Sequence, residues 1–211
     1  MTFDSLILDI DGTLWNTTEV VATAWNAQIK EHFPNLKTVT ADILKTQFGK
    51  PMNIIADNLF PSLSQEQKDE LLKLCCIGEQ KELEENKEKL TYPNVVKTIK
   101  KLSKKIPVFI VSNCQTGYIE LVMKKNKIEK YITDYECFGD TRLGKDENIA
   151  LVVKRNNLQK PAYVGDTQGD YEACKKAGVP FIWASYGFGK PESEDYFAKI
   201  SDFSELLKLE P

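Results

Sequence analysis

Histidine is almost absent from this sequence, because its 211 residues include only one, His32. A mechanism that relies on a histidine base or on several imidazole metal ligands is therefore disfavoured. The five cysteines form no C-x-x-C pair and no Cys/His cluster, and their odd number argues against a disulfide framework or a zinc site. We expect reduced thiols, mostly buried, and a structural role for His32.

Long apolar runs and an excess of one charge are also missing. No apolar stretch approaches the roughly 20 residues that span a bilayer, and the first residues lack the basic and apolar regions of a signal peptide. The 28 Lys+Arg against 31 Asp+Glu give a net charge of −3, which offers no electrostatic footprint for nucleic acid or an anionic membrane. We therefore expect a cytoplasmic globular protein that binds neither nucleic acid nor membrane.

Short apolar runs alternate with helical patterns along most of the chain. Runs typical of buried strands occupy residues 6–8, 108–111, 135–138, 162–164 and 179–184. The helical patterns between and after them occupy residues 94–105, 116–126, 146–156 and 168–177. This alternation predicts βαβ units and a parallel sheet, that is, an α/β fold.

Residues 16–91 interrupt this alternation, because they contain only helical patterns. The first pattern covers residues 18–32, and two further helices are expected to start near Thr40 and at Pro51. The sequence thus predicts one strand, then a helical insertion, and then the remainder of the sheet.

The last helix of the insertion is predicted to open with a capping box formed by Ser64 and Gln67. It continues into the segment 79–89, which is rich in Lys and Glu of alternating sign. We interpret this segment as a solvated helix face.

Two carboxylates, Asp9 and Asp11, directly follow the first apolar run. Residues two apart in an extended chain point the same way, and ligands of open α/β sheets bind at this end of the strands. Carboxylates this close repel each other unless a cation joins them or one is protonated. A Mg²⁺ site and a general acid both suit phosphoryl transfer, although an Asp-Gly turn after a strand is common in itself.

A second pair of acids, Asp166 and Asp170, follows the apolar run 162–164. By themselves these residues fit a helix N-cap and a surface acid near the helix N-terminus. Together with Asp9 and Asp11, however, they bring acids from two strands to the same sheet edge. The combination predicts an all-oxygen magnesium site.

Groups suited to a phosphate follow two other elements of the predicted core. Ser112 and Asn113 end the run 108–111 with hydrogen-bond donors, and Lys145 opens the helix of residues 146–156. A single lysine is weak evidence in a chain this rich in lysine. The order Asp, Ser, Lys, Asp along one sheet is much more specific than any member of it.

This order resembles the four motifs of the haloacid dehalogenase-like hydrolase superfamily, and the resemblance covers essentially the whole chain. The motif residues are Asp9-Ile10-Asp11-Gly12-Thr13, Ser112, Lys145, and Gly165-Asp166 with Asp170. The resemblance implies a Rossmann-like core of residues 1–15 and 92–211, with residues 16–91 as a helical cap that closes over the sheet edge. The segments 173–180 and 186–189 look most like the phosphoglycolate-phosphatase-like branch.

The same resemblance implies Mg²⁺-dependent hydrolysis of a small phosphomonoester, such as a phosphorylated metabolite. Asp9 would be the nucleophile that forms an aspartyl-phosphate. Asp11 would protonate the leaving oxygen and then activate water, and Lys145 would neutralise charge on Asp9 and the phosphoryl group. Asp11 argues against dehalogenation, since the true dehalogenases lack this second aspartate.

The same resemblance implies binding roles for further residues of the motifs. Thr13, Ser112 and Asn113 would bind the phosphoryl oxygens. The Mg²⁺ ligands would be the Asp9 side chain, the Asp11 backbone carbonyl and the side chain of Asp166, with Asp170 as a further ligand or as support.

Two positions depart from the family pattern. Asn16 stands where many relatives have Asp, and Asp146 follows Lys145 where many have Pro, which makes Arg142 the nearest substitute for the lysine. In the insertion, Lys50 resembles a cap residue that reaches an anionic group of the substrate. The simpler interpretation, an exposed lysine at a Gly-Pro helix junction, is favoured for this residue by itself.

Other functions remain open from the sequence. A phosphomutase of the β-phosphoglucomutase type would use the same Asp9 and Asp11 but return the phosphoryl group to a sugar. A receiver-like protein would store an aspartyl-phosphate without catalysis. We expect a monomer or a homodimer.

Overall fold

The computed structural model describes residues 3–209, and the chain divides into two compact units. One consists of the residues up to Asn16 and from Leu90 onward, and the other of Thr17–Lys89. The segments that leave and re-enter the first unit pair with each other. Asn16 N–H donates to the Leu90 carbonyl (2.9 Å), and Tyr92 N–H donates to the Leu14 carbonyl (3.1 Å).

The first unit is built on a six-stranded parallel sheet in the order β3-β2-β1-β4-β5-β6. The strands are β1 (Ser5–Leu8), β2 (Val108–Ser112), β3 (Asp134–Cys137), β4 (Pro161–Gly165), β5 (Phe181–Ala184) and β6 (Ala198–Ile200). The prediction of an α/β fold with a parallel sheet is confirmed. The chain moves outward from β1 to β3 and then returns to place β4 beside β1. The two direct neighbours of β1 are therefore β2 and β4, and the switch in direction lies between β1 and β4.

Helices connect the strands of this unit close to the predicted positions. They are α5 (Val95–Leu102), α6 (Tyr118–Asn126), α7 (Phe138–Thr141), α8 (Lys145–Arg155) and α9 (Gln168–Ala177). Short 3₁₀ turns lie at Glu129–Tyr131 and Phe203–Leu207. The central strands β1, β2 and β4 are buried at every position, which explains why they read as continuous apolar runs rather than as alternating ones.

The sixth strand, β6, was not predicted from the sequence. It has only three residues, Ala198–Ile200, of which Ile200 alone is buried. Its register with β5 pairs Trp183 with Lys199 and Ala184 with Ile200. A strand this short at a sheet edge has no periodic pattern to detect, and its pairing with β5 decides its conformation.

The second unit is helical, as its sequence pattern indicates. Its helices are α1 (Thr18–His32), α2 (Ala41–Lys45), α3 (Met52–Leu59) and α4 (Gln65–Glu85). The Ser64–Gln67 capping box at the start of α4 is present. Pro51 is the N-cap of α3 rather than a first-turn residue, because its ψ of 146° is extended. Among residues 3–209, no helix is long and apolar enough to cross a membrane.

The interpretation of residues 79–89 as a solvated helix face is wrong at Glu79. This side chain is only 4% exposed, and its Oε2 accepts a hydrogen bond of 2.9 Å from the indole N–H of the fully buried Trp25. Leu83, one turn later, is also buried. One face of α4 is therefore buried and packs on α1, which the alternating charges of this segment do not indicate. Helix α4 ends at Glu85, within the segment.

Replacement of Trp25 by Phe should destabilise the protein, because it removes the indole donor to Glu79 and leaves a cavity. We expect the free energy of unfolding to fall by about 2 to 3 kcal/mol, measured by urea denaturation. The control is Ile77→Ser on α4, the helix that carries Glu79, where the side chain is 60% exposed and a change within about 0.5 kcal/mol is expected. Equal stability of Trp25→Phe and the unaltered protein would contradict this account.

Candidate active site

Asp9 and Asp166 lie at the switch in strand direction, where open α/β sheets bind their ligands. Asp9 directly follows β1, and its backbone N–H continues the ladder to the Val164 carbonyl of β4 (2.9 Å). Asp166 directly follows β4. Both side chains are buried, with exposures of 1% and 0%. The strand order therefore brings together two acids that are remote in the sequence.

The two oxygens of Asp9 have different surroundings. Oδ1 accepts a hydrogen bond of 2.8 Å from Lys145 Nζ. Oδ2 is buried and has no hydrogen-bond partner among the described residues. A buried carboxylate oxygen without a partner is costly, so this atom is a candidate ligand for a cation.

Lys145 is the first residue of α8, and its ammonium lies between two carboxylates. It is 5% exposed and reaches Asp9 Oδ1 at 2.8 Å and Asp170 Oδ1 at 2.5 Å. Burial by itself opposes the charged form, but the charges of Asp170 and Asp9 outweigh it and raise the pKa of Lys145 above its ordinary value. The lysine therefore carries its charge inside the protein.

Asp170 is held by donors on both of its oxygens. Besides the bond from Lys145 to Oδ1, Oδ2 accepts from Asp166 N (3.2 Å), Thr167 N (3.0 Å) and Thr167 Oγ1 (2.7 Å). Thr167 and Asp170 form the capping box of α9. Burial would raise the pKa of Asp170, but Lys145 and the Thr167 hydrogen bonds lower it below its ordinary value.

The pKa values of the other two acids shift in the opposite direction. Burial raises the pKa of Asp9 to about 6, with Asp170 adding to this effect and Lys145 opposing it. Burial, together with the charges of Asp170 and Asp9, raises the pKa of Asp166 well above its usual range. A single ammonium is therefore not enough to neutralise all three carboxylates.

The donor set fits a hard divalent cation. One carboxylate oxygen from each of Asp9, Asp166 and Asp170 can be chosen so that all three lie within 4.8 Å of one another. Oxygen ligands are those that Mg²⁺ prefers, and a cation here would engage the partnerless Oδ2 of Asp9. A cation would also favour the ionised form of Asp166.

Two glycines leave room for Asp166. A Cβ on Gly12, whose φ is +84°, would lie 2.2 Å from Asp166 Oδ2. A Cβ on Gly187 would lie 2.3 Å from Asp166 Cβ and 2.5 Å from the Gly12 carbonyl oxygen. The next residue, Phe188, donates its backbone N–H to Asp166 Oδ2 at 2.6 Å. The role of Gly187 was not identified from the sequence, because only the folded chain shows how closely it approaches Asp166.

The residues predicted to bind phosphate also lie at this edge of the sheet. Thr13 is buried, and its Oγ1 lies 3.4 Å from Asp166 Oδ1. Ser112 is the last residue of β2, next to β1, and is 4% exposed. Asn113 follows it and is half-buried. Their binding roles remain predictions.

Two other cations were singled out from the sequence, Arg142 as a substitute for Lys145 and Lys50 as a substrate contact. Arg142 is exposed, and its guanidinium lies over the Phe138 ring, 5.9 Å from the centroid. It is Lys145 that contacts the acids, despite Asp146 in place of the usual proline. Lys50 lies in the helical unit, where it is exposed and donates to Gln47 Oε1 at 3.2 Å. Its substrate contact remains a prediction.

Three tyrosines near the acids were not identified as site residues from the sequence. The Tyr163 hydroxyl donates to the Val111 carbonyl (2.8 Å) and lies 3.5 Å from Asp9 Oδ1. Tyr186 donates to the Thr13 carbonyl (2.9 Å), and Tyr118 donates to Asp11 Oδ1 (2.8 Å). In the sequence, Tyr163 and Tyr118 stand within apolar patterns and so look like ordinary core residues.

Comparison with known proteins assigns the chain to a family. The haloacid dehalogenase-like hydrolase family matches residues 6–184, which include every motif residue described above. The chain belongs to this family. The resemblance predicted from the motifs is thereby confirmed.

Curated relatives of the chain include phosphoglycolate phosphatases. The chain is 28% identical to the phosphoglycolate phosphatase of Escherichia coli (strain K12) over 129 residues, covering 56% of this chain and 51% of that protein. It is 29% identical to that of Pseudomonas syringae pv. syringae (strain B728a) over 130 residues, covering 58% and 47%. The chain thus spans about half the length of the curated relatives it matches.

Solved structures share the fold of this haloacid dehalogenase-like chain over nearly its whole length. A protein described as a predicted phosphoglycolate phosphatase from Haemophilus somnus 129PT superposes with a TM-score of 0.85 at 20% identity, covering 99% of this chain and 98% of that one. A mutant of CbbY from Rhodobacter sphaeroides, in complex with xylulose-1,5-bisphosphate, gives 0.81 at 13% identity, covering 100% of both.

A methyl group at Gly187 should disrupt the support of Asp166, because it would overlap Asp166 and the Gly12 backbone. We expect Gly187→Ala to lower the free energy of unfolding by about 1 to 3 kcal/mol, measured by chemical denaturation. Gly169→Ala is the matched control. Its Cβ would meet its nearest neighbour, Thr167 Oγ1, at an ordinary 3.6 Å, so stability should hold or rise slightly. The same loss in both variants would contradict the proposed overlap.

Proposed function

We propose that the protein is a Mg²⁺-dependent phosphatase that hydrolyses a small phosphomonoester through an aspartyl-phosphate on Asp9. The observation that carries this proposal is that the two carboxylate oxygens of Asp9 differ. Oδ1 accepts a hydrogen bond from Lys145, whereas Oδ2 is buried and has no hydrogen-bond partner among the described residues. Family membership supports a hydrolase, and the curated relatives support a substrate of the phosphoglycolate type. We assign the catalytic core to residues 1–15 and 92–211 and the cap to residues 16–91.

The metal site is assigned to Asp9, Asp166 and the backbone carbonyl of Asp11. Asp170, whose oxygens already accept hydrogen bonds from Lys145 and Thr167, would be a further ligand or would support this set. Bound Mg²⁺ would neutralise the acids and polarise the phosphoryl group. The chain itself supplies the nucleophile, the proton donor and the fixed charge of Lys145.

In the first step the Asp9 carboxylate attacks phosphorus, and the bond from phosphorus to the leaving oxygen breaks. The electron pair goes to that oxygen, which takes a proton from the carboxylic acid of Asp11. Lys145 stays charged and balances the charge that develops near Asp9. In the second step Asp11 takes a proton from water, the water oxygen attacks phosphorus, and Asp9 is released as a carboxylate. Thr13, Ser112 and Asn113 would hold the phosphoryl oxygens.

Asp9→Asn should abolish turnover, because a carboxamide cannot act as the nucleophile, and it should leave the fold intact. Phosphate release is measured on phosphoglycolate, sugar phosphates, nucleotides and pyrophosphate, with and without Mg²⁺. Asp195→Asn, which removes an exposed acid, should retain the activity of the unaltered protein. Near-normal release by Asp9→Asn, or release that is indifferent to metal removal, would end the proposal.

The decay of a trapped phosphoenzyme separates a hydrolase from a phosphomutase of the β-phosphoglucomutase type. A phosphatase should lose its phosphoryl group to water with no further addition. A phosphoenzyme that persists in water and is discharged by a sugar phosphate would identify a mutase. The receiver-like alternative is disfavoured by topology, because receiver folds use the strand order 2-1-3-4-5, whereas here β1 lies between β2 and β4.

Mg²⁺ should stabilise the folded protein in the absence of substrate, because it relieves the repulsion among the buried acids. Saturation at a hundred times the Kd would add about 2.7 kcal/mol to the free energy of unfolding, seen as a rise in Tm over an EDTA-treated sample. Asp166→Asn should lose most of this rise, and Asp195→Asn should retain it. An equal rise in both variants would argue against the assigned ligands.

A further inference from the structure

The hydroxyl of Tyr118 contacts the acid assigned to proton transfer. It donates a hydrogen bond of 2.8 Å to Asp11 Oδ1, although the two residues are 107 positions apart. Tyr118 is the first residue of α6 and is only 2% exposed. An O–H···O distance of 2.8 Å is typical of a well-formed hydrogen bond, so this contact can hold the Asp11 side chain in one orientation.

The surroundings of Tyr118 hold its ring in place. Trp15, which is 1% exposed, packs edge-to-face against it, with ring centroids 5.7 Å apart and an interplanar angle of 66°. Trp15 itself forms β-bridges with Asp11 and Thr91. The turn that carries Asp11, the Trp15 indole and the Tyr118 phenol therefore form one packed group. A ring held in this way gives the hydroxyl a defined direction.

The other two tyrosines at the site donate mainly to the backbone. Tyr186 donates to the Thr13 carbonyl and Tyr163 to the Val111 carbonyl, each within 2.9 Å, while Tyr163 is 3.5 Å from Asp9. These contacts give the buried Tyr163 hydroxyl and the half-buried Tyr186 hydroxyl a partner and support the chain. Of the three, Tyr118 is the one with a short hydrogen bond to a carboxylate of the proposed mechanism.

We propose that Tyr118 is a positioning residue for Asp11 and that it fixes the geometry in which Asp11 protonates the leaving group. This inference rests on the proposed phosphatase function. In the step that forms the aspartyl-phosphate, Oδ1 of Asp11 accepts the Tyr118 hydrogen bond, and the proton on Oδ2 passes to the departing oxygen. Tyr118 retains its own proton throughout, and loss of its hydroxyl leaves the acid present but poorly oriented.

The role can be tested through its dependence on the leaving group. An alkyl phosphomonoester releases a basic alkoxide that needs the Asp11 proton, whereas 2,4-dinitrophenyl phosphate releases a weakly basic phenolate that does not. The measured quantity is kcat/KM, which reports the first irreversible step. For Tyr118→Phe we expect a loss of about tenfold or more on the alkyl substrate and a loss below about threefold on the dinitrophenyl substrate.

Tyr135→Phe is the matched control. The Tyr135 hydroxyl also donates to a carboxylate, that of Glu120 (3.1 Å), but at an exposed position. Its removal should change kcat/KM on neither substrate. A second variant, Tyr118→Met, replaces the phenol by a flexible apolar side chain that has no hydroxyl. The Tm of each variant is measured to establish that it folds. Both Tyr118 variants should show the same preference for the dinitrophenyl substrate.

A double-mutant comparison adds a readout that a structural role would not produce. If Tyr118 acts through Asp11, the pair Asp11→Asn with Tyr118→Phe should be no slower on the alkyl substrate than Asp11→Asn alone. Equal losses on both substrates, full activity of Tyr118→Phe on the alkyl substrate, or additive losses in the double variant would each overturn the inference. An unaltered protein inactive on every phosphomonoester would instead refute the proposed function, and this inference with it.

Discussion

Lys145 carries a positive charge inside the protein, and the arrangement of the acids around it depends on that charge. Its ammonium joins Asp9, at the end of the central strand, to Asp170, in the first turn of α9. A buried ion pair is tolerated only when its geometry is good and its remaining polar groups are satisfied. Thr167 meets this condition for Asp170 through both its backbone N–H and its hydroxyl. Asp9 Oδ2 does not meet it, since it has no hydrogen-bond partner among the described residues, and it is the atom that the proposed Mg²⁺ would engage.

The groups around the acids serve to restrict their geometry. Gly187 allows the chain to approach Asp166 so closely that any side chain there would overlap it. Tyr118 and Trp15 pack against each other beside Asp11. Such support matters for phosphoryl transfer, because catalysis there depends mostly on position and fixed charge rather than on covalent chemistry by many groups. The carboxylates of the candidate site are few, and the residues that contact them restrict their orientation.

Much of the fold was accessible from the sequence because its signals are local. The apolar runs of β1, β2 and β4 and the capping box at Ser64 each depend on neighbouring residues, and the structure contains them. Strand β6 was missed because three residues carry no period. Glu79 was misread because its partner, Trp25, is 54 positions away. A charge pattern along one helix cannot reveal a hydrogen bond to another helix.

By itself the sequence determined the family and identified the candidate site residues, since the motifs formed by Asp9, Asp11, Lys145, Asp166 and Asp170 can be recognised without coordinates. Tertiary structure alone decided how those groups share protons and charge. Burial and the charges of Asp170 and Asp9 raise the pKa of Asp166, whereas Lys145 and the Thr167 hydrogen bonds outweigh burial and lower the pKa of Asp170, although both are aspartates only four positions apart. Such a difference arises from desolvation and from contacts between remote segments, and these exist only once the sheet has formed.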